Sequence, residues 1–354
     1  MFTVNEWSSD SRVELDKSLC LEDVQAIRAM EKVKRLILRE PVNVRTLRLI
    51  NEELLSYRPE LIFVIGFPFI YSISLSFLKE LSEVRTLQIY HFDHVRDLSV
   101  LEKLPKLQRL KIMQAGVDDP SVLARLPETM TDLSIDLKNH RSLDLSFLRR
   151  YSALQHLELV HLKKNIDAVA DLPALRSLEF SGITLDDMSF FSRMPDLEAL
   201  SIWRGNTNDF SGLENHPGLR WLYIFHVNKL DDVGVTATLP ALDYLMLEQL
   251  RNVRVLPDYS RSKCLSRVIL LQMGGLEDIS GLQYAPHLKE LVWGRCATKP
   301  KSIEAVLHMP SLEAVDIEDK KWENLRILAR QRGLREVEMP CILPIPYSDQ
   351  VPRN

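Results

Sequence analysis

The chain has 354 residues, of which 45% are apolar and 27% charged, an ordinary globular mix that excludes disorder over most of its length. Its 45 basic and 49 acidic residues leave a net charge of −4, so electrostatics gives no case for a nucleic-acid partner. The skew lies in leucine, with 59 residues against only 12 glycines, and the leucines are periodic.

Residues 1–32 are expected to form an N-terminal capping segment. The opening MFTVNEWSSDSRVELD is acidic and polar, without the basic start and apolar run of a signal peptide. LEDVQAIRAME over residues 21–31 predicts an amphipathic helix leading into the first strand, VKRLIL from Val33. The next strand-like run, LIFVIG, begins 28 residues later at Leu61 and leaves room for a helix over about residues 43–57. Residues 61–78 form an 18-residue stretch without a charge. Gly66, Pro68 and the serines at 72, 74 and 76 interrupt it, and it fits the repeat register, so no membrane span is expected.

From Val84 onward a phrase Φ-x-x-Φ-x-Φ, with Φ apolar, recurs twelve times. VRTLQI at 84, LQRLKI at 107 and MTDLSI at 130 are followed by LQHLEL at 154, LRSLEF at 175, LEALSI at 197 and LRWLYI at 219. LDYLML at 242, LSRVIL at 265, LKELVW at 288, LEAVDI at 312 and LREVEM at 334 complete the run, in steps of 21 to 24 residues. A second phrase fills the other half of each unit, as in DLSVLEKLPKL at 97, DFSGLENHPGL at 209 and DISGLQYAPHL at 278. Its Asp or Ser can accept backbone N–H bonds and start a short helical turn, which the following Pro ends because it has no N–H to donate. Each unit thus predicts one short strand and one return turn, and no unit can bury its apolar side alone, so neighbours must stack. The tail, residues 340–354, holds four prolines and is expected to run extended over the last repeat or fray.

These phrases resemble leucine-rich repeat proteins of the 22-residue-type subclass, typified by internalins and phosphatase-regulating repeat proteins, over about residues 33–339. The resemblance implies an α/β solenoid: a right-handed superhelix with a concave parallel β-sheet and convex short helices or 3-10 turns. The family places Asn eight residues after the first leucine of each phrase. Here that slot holds Phe92, Ala115, Leu162, Ile183, Val227, Leu250, Met273 and Cys296, so apolar packing is expected to replace the amide ladder. No linker breaks the interior, which reads as one domain.

Strand alternation sends offsets +2, +4 and +6 of each phrase away from the leucine core. One region stands out: Trp203, Trp221, Tyr223, Phe225, Tyr244 and Met246 fall on three neighbouring strands, with Ile269, Leu271 and Val292 beside them. The core already has its leucines, so these rings are expected on a water-facing patch of about 400–600 Å², the size of a functional patch. Arg204, His226, Glu248 and Arg267 would form its polar rim. The expected role is binding a protein or peptide on the concave face, with self-association or a shifted register as alternatives; monomer and homodimer stay open. Acidic residues (Asp316, Glu318, Asp319, Glu336, Glu338) mark the C-terminal end of that face and read as a solvated surface.

Chemistry finds little footing. The phosphate-cradling G-x-x-x-x-G-K loop, G-x-G-x-x-G, H-E-x-x-H and G-x-S-x-G are all missing from the sequence. Bacterial repeat proteins that are ubiquitin ligases carry a Cys-x-Asp site, and Cys20, Cys264, Cys296 and Cys341 all lack an Asp two residues on. Those scattered cysteines suit reduced thiols and a cytoplasmic location. Glu158 and Glu179 share a column on adjacent strands and give the best enzyme reading, a hydrolase pair. His91 and His94 are too loosely spaced for a metal site. The expectation is therefore a non-enzymatic binding module without cofactor or metal. A regulatory or inhibitory subunit of an enzyme is the second reading and a hydrolase using Glu158 and Glu179 the third; a secreted adhesin is disfavoured.

Overall fold

A computed structural model describes residues 3–5, 11–15, 19–39, 42–66, 71–318 and 322–337. Packing divides the chain into two units, Met1–Pro173 and Ala174–Asn354. Each is an α/β solenoid built from the two phrases.

In the second unit the first phrase gives the parallel strands Ser177–Ser181, Ala199–Trp203, Trp221–Phe225, Tyr244–Glu248, Arg267–Leu271, Glu290–Gly294 and Ala314–Ile317, neighbours in chain order. Ala199 faces Trp221, Trp221 faces Tyr244, and the column continues through Arg267 and Glu290 to Ala314. Equal offsets therefore pair, as the sequence phrase requires. The alternate residues Leu200, Leu222, Leu245 and Leu291 have no exposure at all and form the inner layer. The last phrase behaves differently. Among its described residues LREVEM makes a single bridge, Arg335 to Ala314, and Val337 leaves the leucine register to pack on the opposite face of the sheet.

In the first unit, Thr3–Asn5 pairs antiparallel with Ser11–Leu15, which then runs parallel to Val33–Leu38. The parallel ladder continues through Ile62–Ile65, Thr86–Tyr90, Arg109–Ala115, Asp132–Leu137 and His156–Val160. The parallel sheet thus begins at Ser11, inside the segment read as a cap. Helices cover Leu21–Ala29 and Val44–Ile50, the latter running on as a wider turn over Asn51–Leu55, where the sequence predicted helix. The uncharged stretch from Leu61 supplies the strands Ile62–Ile65 and Ser72–Ser74. Among the described residues no helix is long and apolar enough to cross a membrane. The tail expected over residues 340–354 lies outside the described residues, as do Cys341, Asp319 and Glu338.

The second phrase forms the return turns, mostly single 3-10 turns. Ser146 and Ser189 each donate a backbone N–H to the carboxylate two residues earlier, on Asp144 at 2.9 Å and Asp187 at 2.7 Å. Those bonds hold both carboxyls below the usual range. Asp209 and Asp278 repeat the bond to Ser211 and Ser280. Glycine is required where successive turns approach: a Cβ on Gly281 would fall 2.0 Å from the carbonyl oxygen of Pro257.

The slot that holds Asn in the family is apolar and buried at Phe92, Ala115, Leu162, Ile183, Val227, Leu250, Met273 and Cys296, and is interrupted by the exposed Lys138 and the half-buried Gly205. The residue before it carries a second device. His91, Gln114 and His161 in the first unit, and Arg204, His226, Gln249, Gln272 and Arg295 in the second, all adopt left-handed φ between 51° and 66°. This conformation turns the chain so that the next residue drops into the core. At His91, Arg204, His226, Gln249 and Gln272 it also aims the backbone N–H at the following strand: His226 donates to the Glu248 carbonyl at 2.9 Å and Gln249 to that of Leu271 at 3.0 Å. The side chains form an external ladder, His226 Nδ1 to Gln249 Oε1 at 2.7 Å and Gln249 Nε2 to Gln272 Oε1 at 3.0 Å.

Candidate functional site

The outward face of the second unit holds the aromatic cluster on the strands and offsets that the sequence indicated. Its environment differs from the expectation of an exposed patch. Trp221 and Tyr244 retain 6% of their exposure, Tyr223 2% and Met246 1%, and Ile269 and Val292 are buried with them. The unit thus has a second apolar layer on the far side of its sheet, opposite the leucines.

Adjacent strands put like offsets about 4.8 Å apart, close enough for rings to pack on one another. Trp221 stacks on Tyr244 with centroids 5.0 Å apart, and meets Tyr223 edge-on at 6.2 Å. Trp203 meets Tyr223 at 5.2 Å and Phe225 at 5.5 Å, both edge-to-face. Burial raises the phenols of Tyr223 and Tyr244 well above their ordinary value, and the Glu248 carboxylate adds to the rise at Tyr223. The Tyr223 hydroxyl donates to Glu248 Oε2 at 2.7 Å. A buried ring with a polar tip needs such an acceptor.

The residues still reachable by solvent lie along one edge of the cluster, at the C-terminal ends of the strands. Trp203, Phe225 and Leu271 are half-buried there, with Glu248 between the last two. The Trp203 indole N–H donates to Ser201 Oγ, which fixes the ring. Arg204 is exposed and His226 half-buried beside this edge. Arg267 is paired with the Glu290 carboxylate, as Glu248 is with the Tyr223 hydroxyl and His226 with Gln249. At the C-terminal end, burial and the Glu336 charge raise the half-buried Asp316 carboxyl, while Glu318 and Glu336 are exposed.

The carboxylates singled out for hydrolysis are not a matching exposed pair. Glu158 is buried to 8% exposure, and the Lys111 ammonium holds its Oε2 at 2.7 Å across the intervening strand. Glu179 is half-buried in the second unit. An exposed carboxylate was expected at 158 because the column shows which side a residue faces, not what lies over it. His91 bonds Gln114, and Asp93 takes the Lys138 ammonium at 2.6 Å. Among the described residues no group of three His, Cys, Asp or Glu side chains could hold a metal ion.

No family model matches the chain, and no curated relative does either. Among solved structures, an internalin of Listeria monocytogenes is similar over 91% of this chain and 89% of its own, with TM-score 0.56 and 20% identity. A leucine-rich repeat protein of Leptospira interrogans aligns over 89% of this chain and 92% of its own, at 16% identity and TM-score 0.42. The functional domain of the Listeria protein InlJ covers 79% of this chain and 67% of itself, at 13% identity and TM-score 0.45. The first likeness, together with the paired strands above, establishes a leucine-rich repeat fold of internalin type.

Proposed function

Taking that fold as the premise, we propose that this chain is a non-enzymatic protein-interaction module. It recognises a protein or peptide at the outward face of the second unit. The observation that carries this reading is the half-buried edge formed by Trp203, Phe225 and Leu271 over a fully packed aromatic layer. Rings held in place by edge-to-face contacts lose little freedom when a ligand covers them, so their apolar area is not offset by ordering cost. Arg204, His226 and Glu248 supply charge and hydrogen bonds around the edge, the arrangement of a hot spot with a polar rim.

Trp221, Tyr223, Tyr244 and Met246 act in this reading as the support beneath the edge. Panning a random-peptide phage library on the immobilised protein tests it. Enriched peptides should lose binding at least tenfold to the Trp203→Ala, Phe225→Ala variant, whose circular-dichroism spectrum should match wild type. Enrichment that ignores the double substitution would refute the reading.

A further inference from the structure

We propose that the edge of the second unit takes a peptide segment that seats an arginine or lysine between apolar side chains, with the cation held by Glu248. This deepens the binding reading above and rests on it. Offset +6 of successive phrases forms the edge: Trp203 faces Phe225, Phe225 faces Glu248, and Glu248 faces Leu271. One half-buried carboxylate therefore stands in an otherwise apolar row, a rung of about 4.8 Å from Phe225 on one side and from Leu271 on the other.

The surroundings of Glu248 fix it without supplying a counter-ion. Its Oε2 accepts the Tyr223 hydroxyl at 2.7 Å, and among the described residues no Lys or Arg pairs with the carboxylate. Arg267, on the next strand, is bonded to Glu290 instead. The exposed Arg204 and Arg295 belong to the left-handed row, each two rungs, about 10 Å, from Gln249. A second carboxylate extends the row past Leu271. Gly294 follows Leu271 there, and a Cβ on it would fall 2.7 Å from Glu318 Oε2, so the glycine leaves room for Glu318 to lie across that rung.

These contacts select among partners. A guanidinium or ammonium on Glu248 makes a charge-assisted bond, stronger than a neutral one, and the neighbouring rings of Trp203 and Phe225 attract the same cation. An acidic or wholly apolar segment would cover Glu248 and leave a carboxylate out of water without a counter-ion, which opposes binding. From Trp203 to Leu271 the edge covers three rungs, about 14 Å, the length of about four steps of extended chain. A single short segment can thus place its apolar residues on Trp203, Phe225 and Leu271 and its basic residue between them.

Peptides enriched on the wild-type protein from the random library should carry an Arg or Lys flanked by apolar residues. The strongest, made as a free labelled peptide, is titrated by fluorescence anisotropy against wild type and Glu248→Gln, with its basic residue intact or replaced by norleucine. Each single change should weaken binding about tenfold, and both together hardly more than either alone, because they remove the same contact. Glu248→Gln keeps an oxygen for the Tyr223 hydroxyl, so a loss that is just as large for the norleucine peptide is structural and overturns the proposal. Equal binding by Glu248→Gln and wild type, or enriched peptides without a basic residue, overturn it too. If such peptides still lose binding to Trp203→Ala, Phe225→Ala, the binding face stands and only the cation falls. Enrichment indifferent to that double substitution, or no enrichment at all, removes both.

Discussion

Trp221 lies flat against Tyr244, their ring planes 5° from parallel and their centroids 5.0 Å apart. The contact joins residues 23 apart in sequence that occupy the same offset of successive repeats, and stands on the side of the sheet away from the leucines. It makes the second unit a sheet with apolar layers on both faces. Such a sheet is stiff, and stiffness is what its half-buried edge contributes to recognition.

The turns between strands pack backbone to backbone. Gly281→Ala would push a methyl group to 2.0 Å from the Pro257 carbonyl oxygen, while Gly274 has nothing within 4 Å of the same position. Urea unfolding should show a loss of about 1–3 kcal/mol for Gly281→Ala and a change within about 1 kcal/mol for Gly274→Ala.

The left-handed row sets a different requirement. Arg295 is exposed and sits at φ 53°, a region open to glycine and costly for a β-branched residue. Arg295→Val should destabilise the protein by about 1–2 kcal/mol, whereas Arg295→Gly should be neutral or stabilising by up to about 1 kcal/mol. Differential scanning calorimetry of the two variants would read the opposite signs.

His216 makes stability depend on acid. Its Nδ1 accepts the Leu219 N–H at 3.2 Å and its Nε2 donates to the Met194 carbonyl at 2.9 Å, which fixes a neutral ring in the core. Burial lowers its pKa from the ordinary 6.5. Protons therefore bind the unfolded chain first, so this contribution is complete above pH 6.5 and is lost as pH falls below it. Urea midpoints between pH 6.5 and 5 should fall more steeply for wild type than for His216→Gln. The difference in slope should reach at most about 1.4 kcal/mol per pH unit.

Much of this was legible in the chain itself. The repeat phrase puts Trp221, Tyr244 and Arg267 in one column, and those residues do pair, because a period of two leaves a strand only one register that buries its leucines. The apolar slot at Val227 and Leu250 was equally readable. What a column cannot show is cover: it gave the side on which Trp221 and Glu158 stand, but not the neighbours that bury them. The left-handed row is not legible in the sequence because His226, Gln249, Gln272 and Arg295 are neither glycine nor asparagine, the residues that mark left-handed backbone. The phrase puts Val337 with the leucines, whereas among the described residues a single bridge, Arg335 to Ala314, joins that last rung to the sheet.

The central claim is that the aromatic layer is structural and only its edge is free to bind. Equilibrium urea unfolding of Trp221→Ala and Trp203→Ala, side by side, tests it most directly. Trp221→Ala should cost about 3–5 kcal/mol, as for a ring removed from a packed core, and Trp203→Ala clearly less. Equal midpoints for Trp221→Ala and wild type would contradict the account and return Trp221 to an open surface.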